Sequence, residues 1–129
     1  MLIFGHPLIN MQKFSYFENI FIKTNVNCFN YNEQNIKSAK EEKIDFAIYA
    51  KNEEEILLSN ALGAKYILIE DERLAKIASK MAEFYMFDSK ILFLLDVLDN
   101  NLKKAYELSV DGVCLKSYIT QTKPIKGLV

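Results

Sequence analysis

Four charged residues stand directly after apolar runs of the sequence, where their side chains could carry out chemistry. They are Glu70, Asp71, Asp96 and Lys116. The three carboxylates supply the hard oxygen ligands that Mg²⁺ prefers, and the lysine could neutralise a phosphoryl oxygen beside the metal. The sequence therefore predicts a candidate site at these four residues, with Glu70, Asp71 and Asp96 as the metal ligands.

The same carboxylates also have a structural interpretation that needs no ligand. Acidic residues are favoured at the start of a helix, because they accept hydrogen bonds from free backbone N–H groups and oppose the positive end of the helix dipole. Glu70 and Asp71 precede one predicted helix, and Asp96 and Asp99 precede another. A shared site requires the side chains to converge, and convergence depends on the order of the strands.

Most motifs of catalysis and cofactor binding are missing from the sequence. It contains no glycine-rich dinucleotide motif, no Walker A motif and no G-x-S-x-G nucleophile elbow. His6 is the only histidine, which excludes a metal site with two histidines and weakens any scheme in which histidine activates a nucleophile. We therefore expect no cofactor, with Mg²⁺ as the one compatible ion.

Charge and composition argue against two classes of partner. The chain has 17 acidic and 16 basic residues, mixed along its length, and Arg73 is its only arginine. A nucleic-acid binding protein would concentrate lysine and arginine on one surface. No apolar run approaches the roughly 18–20 residues that span a bilayer, and Met1–Ile9 lacks the features of a signal peptide. We expect a cytoplasmic protein that binds neither nucleic acid nor membrane, with Cys28 and Cys114 as buried, reduced thiols.

Five apolar runs, separated by segments with helical spacing, predict the architecture. The runs are Val26–Phe29, Phe46–Tyr49, Tyr66–Ile69, Ile91–Leu95 and Val113–Leu115. Regular alternation of strand and helix indicates a parallel sheet with helical crossovers. Ligands bind such sheets at the carboxyl ends of the strands, and the four charged residues named above follow those ends.

We predict a flavodoxin-like three-layer α/β sandwich with a mainly parallel five-stranded sheet, in a single α/β domain. Its parts are an aromatic N-terminal segment (1–25), repeated βα units (26–116) and a tail (117–129). A half (β/α)8-barrel is the alternative, because Asn60–Ile69 and Ser109–Leu115 each combine a helix end, a glycine and a strand as such barrels do. The open edges of a half-barrel would require dimerisation or recruitment of the N-terminal segment.

Capping residues mark several helix boundaries in the sequence. Asn52 is expected to cap the second helix, with Glu55 three residues later in an arrangement similar to a capping box. Gly63 is expected to end that helix in a left-handed conformation. Asp99 is expected to cap the fourth helix.

The N-terminal segment contains an aromatic cluster. Its members are Phe14, Tyr16, Phe17 and Phe21. The cluster fits two interpretations, since it could be core at one edge of the sheet or an exposed apolar patch that contacts another protein. On the second interpretation these four residues form a candidate interaction surface for a homodimer or for a partner protein.

Two stretches of the sequence, Asn60–Ile69 and Asp111–Val113, resemble a short, uncharacterised bacterial α/β family from low-GC genomes. The resemblance implies the fold and no particular activity. The residues themselves favour a non-catalytic protein that acts through protein–protein interaction or self-association. The alternative is a small Mg²⁺-dependent or phosphate-handling enzyme with its site at the carboxyl ends of the strands.

Overall fold

The structure, a computed structural model, describes residues 1–121. The strands are β1 (Leu2–Phe4), β2 (Phe14–Tyr16), β3 (Val26–Asn30), β4 (Phe46–Tyr49), β5 (Tyr66–Ile69), β6 (Lys90–Leu95), β7 (Gly112–Leu115) and β8 (Ile119–Gln121). The helices are α1 (Glu33–Glu41), α2 (Glu53–Ala61), α3 (Glu72–Tyr85) and α4 (Leu102–Leu108), with a 3₁₀ turn at Lys116–Tyr118. Residues 122–129 of the predicted tail lie outside the described residues.

All eight strands belong to one sheet, in the order β1-β7-β6-β5-β4-β3-β2-β8, and every neighbouring pair is parallel. The five strands predicted from the apolar runs are confirmed as β3–β7. The predicted number of strands is wrong, because β1, β2 and β8 extend the sheet to eight. Each of these three strands has only three residues, which is too short for a periodic pattern to show in the sequence.

The sheet curls into a half-barrel, so the flavodoxin-like sandwich is confirmed only as a parallel α/β arrangement. One hydrophobic cluster fills the concave side, with at least one side chain from each of the eight strands and none from a helix. A three-layer sandwich would instead place helices on both faces of the sheet. The half-barrel that the sequence allowed as an alternative is therefore the better description.

Aromatic rings join the two edges of the curled sheet across its concave side. The ring of Phe4, in the edge strand β1, lies 4.7 Å from Phe14, 5.3 Å from Tyr66 and 5.9 Å from Tyr118, measured between centroids. Tyr118 leads into the opposite edge strand, β8, and its hydroxyl donates to the carbonyl oxygens of Met11 and Gln12 at 2.9 Å each. The N-terminal segment and the chain after β7 are therefore parts of the same core.

The helices cover the convex side of the sheet. Side chains of α2, α3 and α4 pack against β5, β6 and β7 in one cluster, while Ile36 and Ala39 of α1 pack against β3 and β4 in another. Alternate residues of each strand face the two sides, so Ile67 and Ile69 point to the helices while Tyr66 and Leu68 point to the concave core.

Two of the three predicted helix boundaries are confirmed. The Asn52 side chain accepts a hydrogen bond from the backbone N–H of Glu55 at 2.9 Å, and Gly63 has a φ of +96°. The prediction for Asp99 is wrong, because α4 begins two residues later with Asn101 at its N-cap. Asn101 makes no capping bond there, since its side-chain amide donates to the carbonyl oxygen of Val97 at 2.9 Å.

Within residues 1–121, none of the helices has the length and apolar character needed to cross a membrane.

Candidate functional site

The carboxyl ends of the strands surround an opening on the concave side of the half-barrel. It contains a pocket of about 340 Å³. Its polar side chains are Tyr16, Asn30, Tyr49, Lys51, Glu70 and Lys116, and Leu94 and Ile119 add apolar surface. Parallel pairing places all of these strand ends at the same edge of the sheet, so residues far apart in sequence meet at one opening.

Lys116 joins two of the predicted site carboxylates. It follows β7, while Glu70 follows β5 and Asp96 follows β6, and these three strands are neighbours in the sheet. The Lys116 ammonium group forms an ion pair with the Glu70 carboxylate and a second one, 3.5 Å long, with Asp96. The structure therefore brings together three of the four residues that the sequence predicted for this site.

Asp71, the fourth predicted residue, caps the start of α3. Its carboxylate accepts a hydrogen bond from the backbone N–H of Leu74 at 2.8 Å, which is the capping role that the sequence offered as an alternative. Asp71 therefore takes no part in the ion pairs that Lys116 forms with Glu70 and Asp96. Among residues 1–121, no group of three or more His, Cys, Asp or Glu side chains is arranged to hold a metal ion.

Mg²⁺ coordination by the two remaining carboxylates would compete with an existing interaction. Glu70 and Asp96 both contact the ammonium group of Lys116, which stands where a cation between them would lie. A metal would have to displace this lysine and obtain its other ligands from water.

Four side chains of the pocket were not part of the site that the sequence predicted at the strand ends. Tyr16, Asn30, Tyr49 and Lys51 come from the ends of β2, β3 and β4. The rings of Tyr16 and Tyr49 lie 6.1 Å apart between centroids, with an angle of 44° between their planes. Tyr49 could have been identified from the sequence. Side chains alternate between the two sides of β4, so Tyr49 lies on the same side as the buried Ala47.

Four ionisable groups of the opening and of the core below it have raised pKa values. The hydrogen bond to Glu70 raises the pKa of the Lys116 ammonium group. Burial raises the pKa of the Tyr49 hydroxyl and of the Cys28 thiol, and it raises the pKa of Cys114 to about 12. None of these four groups is a nucleophile or general base at neutral pH, so the arrangement supplies hydrogen-bond donors and charge.

A neighbouring pocket of about 400 Å³ extends the opening towards α3. It shares Tyr49, Lys51, Glu70 and Leu94 with the first pocket and reaches Leu74 at the first turn of the helix. A ligand that enters between the strand ends therefore has room on the side of β4 and β5.

The predicted interaction surface lies mostly within the core. Phe14 is fully buried, and Tyr16, Phe17 and Phe21 are partly buried. The ring of Phe17 stacks on Phe21 at 4.3 Å and meets Phe29 of β3 at 5.7 Å. The more exposed apolar side chains include Leu8 and Ile20 of the N-terminal segment and Phe84 and Met86 at the end of α3.

Comparison of the chain with protein-family models and with curated proteins gives no match. What the protein does is therefore inferred from the geometry of its own site.

Proposed function

We propose that this protein binds a small organic molecule in the pocket at the carboxyl ends of its strands. The observation that carries the proposal is the composition of this pocket, in which two tyrosine rings and two apolar side chains adjoin Asn30 and the Lys116–Glu70 pair. Concave sites that combine apolar surface with a few convergent polar groups are typical of small-molecule binding.

The lining of this pocket suits the binding of a small organic molecule better than it suits a phosphate-handling reaction. In this pocket a phosphate group would meet two lysines, Lys51 and Lys116, and Lys116 is shared between Glu70 and Asp96. Bidentate recognition of phosphate relies on arginine, and Arg73, the only arginine of the chain, is absent from the lining of this pocket.

The pocket can be blocked without disturbing the core. Asn30 is exposed and lines the pocket, so Asn30→Trp would fill the opening with an indole ring. Gln34→Trp is the matched control, because Gln34 is also exposed but lies on α1 outside the pocket. A chemically diverse set of small molecules would be screened by the change in Tm, since a ligand that binds only the native state raises stability.

We expect that compounds which raise the Tm of the wild type and of Gln34→Trp will not change the Tm of Asn30→Trp. A ligand present at 100 times its Kd should contribute about 2.7 kcal/mol to stability, which corresponds to several degrees in a domain of this size. If no compound distinguishes the wild type from Asn30→Trp, the pocket is not the binding site and the proposal fails.

Self-association is a second candidate function, favoured by an exposed apolar cluster at the end of α3. Phe84, Tyr85 and Met86 are consecutive and are 78%, 61% and 85% exposed. The rings of Phe84 and Tyr85 meet edge to face at 4.8 Å, and together they form an apolar projection. Such a projection is a common anchor in protein interfaces.

Analytical ultracentrifugation tests this candidate. If the cluster is the interface of a homodimer, the wild type should dimerise with rising concentration, and the double variant Phe84→Ser, Met86→Ser should remain monomeric. Leu8→Ser is the control, because Leu8 is 88% exposed and lies in another segment. A wild type that stays monomeric at high concentration, or a double variant that still dimerises, would exclude this interface.

A further inference from the structure

Lys51 carries the unpaired charge of the pocket at the carboxyl ends of the strands. Among the described residues, the charged side chains that line this pocket are Lys51, Lys116 and Glu70. Glu70 is already paired with Lys116, which also contacts Asp96. Within residues 1–121 the ammonium group of Lys51 forms no ion pair. A ligand that enters the pocket therefore meets one positive charge that no carboxylate of the lining neutralises.

The edge of the sheet around the pocket has more acidic than basic residues, but most of its carboxylates have a partner. The segments after β3–β7, through the first helical turn, are residues 31–35, 50–56, 70–74, 96–105 and 116–118. They contain nine acidic and five basic residues. Six of the nine carboxylates accept a hydrogen bond or form an ion pair, namely Glu33, Glu55, Glu70, Asp71, Glu72 and Asp96. The other three, Glu53, Glu54 and Asp99, do not line the pocket, and salt screens such outlying charges beyond about 8 Å.

The uncharged polar side chains of the pocket add hydrogen-bond donors. The amide of Asn30 and the hydroxyls of Tyr16 and Tyr49 can each donate. Burial raises the pKa of the Tyr49 hydroxyl, so this group keeps its proton at neutral pH. Glu70 is the only carboxylate among the described residues of the lining, and it already accepts from Lys116. The lining therefore offers a cation and several donors to a ligand, which favours a ligand with acceptor oxygens.

We infer that the ligand of this pocket is an organic acid that binds Lys51 through a single carboxylate group. The inference rests on the proposed function of the pocket and specifies the class of ligand. A carboxylate accepts charge-assisted hydrogen bonds from an ammonium group, and these are about twice as strong as hydrogen bonds between neutral groups. The tyrosine rings, together with Leu94 and Ile119, provide contacts for the hydrocarbon part of the acid.

The charges of the lining suit a carboxylate better than a phosphate group. A carboxylate brings one negative charge, which matches the single unpaired charge of Lys51. A phosphate monoester carries roughly 1.5–2 negative charges at pH 7. The excess charge would lie in the same pocket as Glu70, and like charges repel. We therefore expect a monocarboxylate to be preferred over a phosphate ester of similar size.

Four small aromatic compounds separate the contribution of charge from that of shape. Benzoate, benzyl alcohol, benzylammonium and phenyl phosphate would each be titrated into the ¹⁵N-labelled protein at pH 7, and Kd obtained from the NMR shifts of the pocket residues. We expect benzoate to bind about tenfold more tightly than benzyl alcohol, because a charge-assisted hydrogen bond replaces a neutral one. Phenyl phosphate and benzylammonium should bind more weakly than benzoate, and the preference for benzoate should decrease as the salt concentration rises.

Three substitutions at the same edge of the sheet distinguish direct contact from the general field. Lys51→Gln and Lys103→Gln each remove one positive charge from an exposed residue, but Lys103 lies on α4 outside the pocket. Lys51→Gln should weaken benzoate binding about tenfold, whereas Lys103→Gln should weaken it less than about twofold. Glu70→Gln should strengthen benzoate binding about threefold, because it removes a like charge from the lining and releases Lys116 from one of its two ion pairs. Binding of benzyl alcohol should change little in all three variants.

The outcomes separate this inference from the proposed function. Equal binding of benzoate and benzyl alcohol, no measurable binding of benzoate, or equal effects of Lys51→Gln and Lys103→Gln would overturn the assignment of a carboxylate at Lys51. Tighter binding of benzylammonium or of phenyl phosphate than of benzoate would overturn it as well. The proposed function would survive each of these results if other compounds bound the wild type but not Asn30→Trp. Binding of benzoate that persists in Asn30→Trp would overturn the proposed function itself.

Discussion

Replacing Phe4 by alanine should lower the free energy of unfolding by about 3–5 kcal/mol, measured by urea denaturation. Phe4 is fully buried, and its ring contacts Phe14, Tyr66 and Tyr118, which belong to three other parts of the chain. Removing the ring would leave a cavity on the concave side, where the two edges of the sheet meet. A domain with a total stability of about 5–15 kcal/mol would lose a large part of it.

Phe84→Ala is the matched control for this experiment. The substitution removes the same atoms, but Phe84 is 78% exposed, so the free energy of unfolding should change by less than about 0.5 kcal/mol. Equal effects of the two substitutions would contradict the curled sheet, because Phe4 would then not be packed in a shared core.

Gly112→Ala should detach β1 from the sheet. A Cβ atom at this position would overlap the carbonyl oxygen of Leu2 and would lie 2.9 Å from its carbonyl carbon. Both are backbone atoms of the neighbouring strand, so the contact cannot be relieved by rotating a side chain. We expect a loss of about 1–3 kcal/mol in the free energy of unfolding. Hydrogen exchange at the β1 amides should become faster, while the amides of β4 and β5 keep more of their protection.

Gly63→Ala provides the comparison for Gly112→Ala. Gly63 has a φ of +96°, but a Cβ atom there would have no neighbour within 4 Å. Alanine at this position should lower stability through backbone strain alone and should not selectively expose β1. If the two variants give the same exchange pattern, the close approach of Gly112 to Leu2 does not exist in solution.

The central strands could be predicted from the sequence because each has a local signature. β4 and β5 are runs of four residues, nearly all apolar, between polar segments, and their predicted boundaries agree with the structure. β2 and β8 have no such signature, since each has only three residues, of mixed polarity. In the sheet β2 lies between β3 and β8, and β8 pairs with β2. The pairing of β2 with β8 joins segments more than 100 residues apart, and single-sequence patterns carry no information about it.

The candidate site could be predicted in part, because three of its residues follow central strands that have a local signature. Glu70, Asp96 and Lys116 converge because they follow three strands that are neighbours in the sheet, as the alternation of strands and helices allowed. Asp71 does not join them, because its carboxylate caps α3 by accepting a hydrogen bond from the backbone N–H of Leu74. The position of Tyr16 depends on the curl of the sheet, which brings the end of β2 to the same opening and cannot be seen in the sequence.

The most direct test of the proposed function is the position of a bound ligand. A ¹H–¹⁵N NMR titration with a compound that raises the Tm of the wild type should shift the backbone amides around Tyr16, Tyr49 and Glu70, and those amides should not shift when the compound is added to Asn30→Trp. The amides of residues 84–86, at the end of α3, should remain unchanged in both proteins. Shifts that cluster at residues 84–86, or that persist at the strand ends in Asn30→Trp, would contradict a ligand site in this pocket.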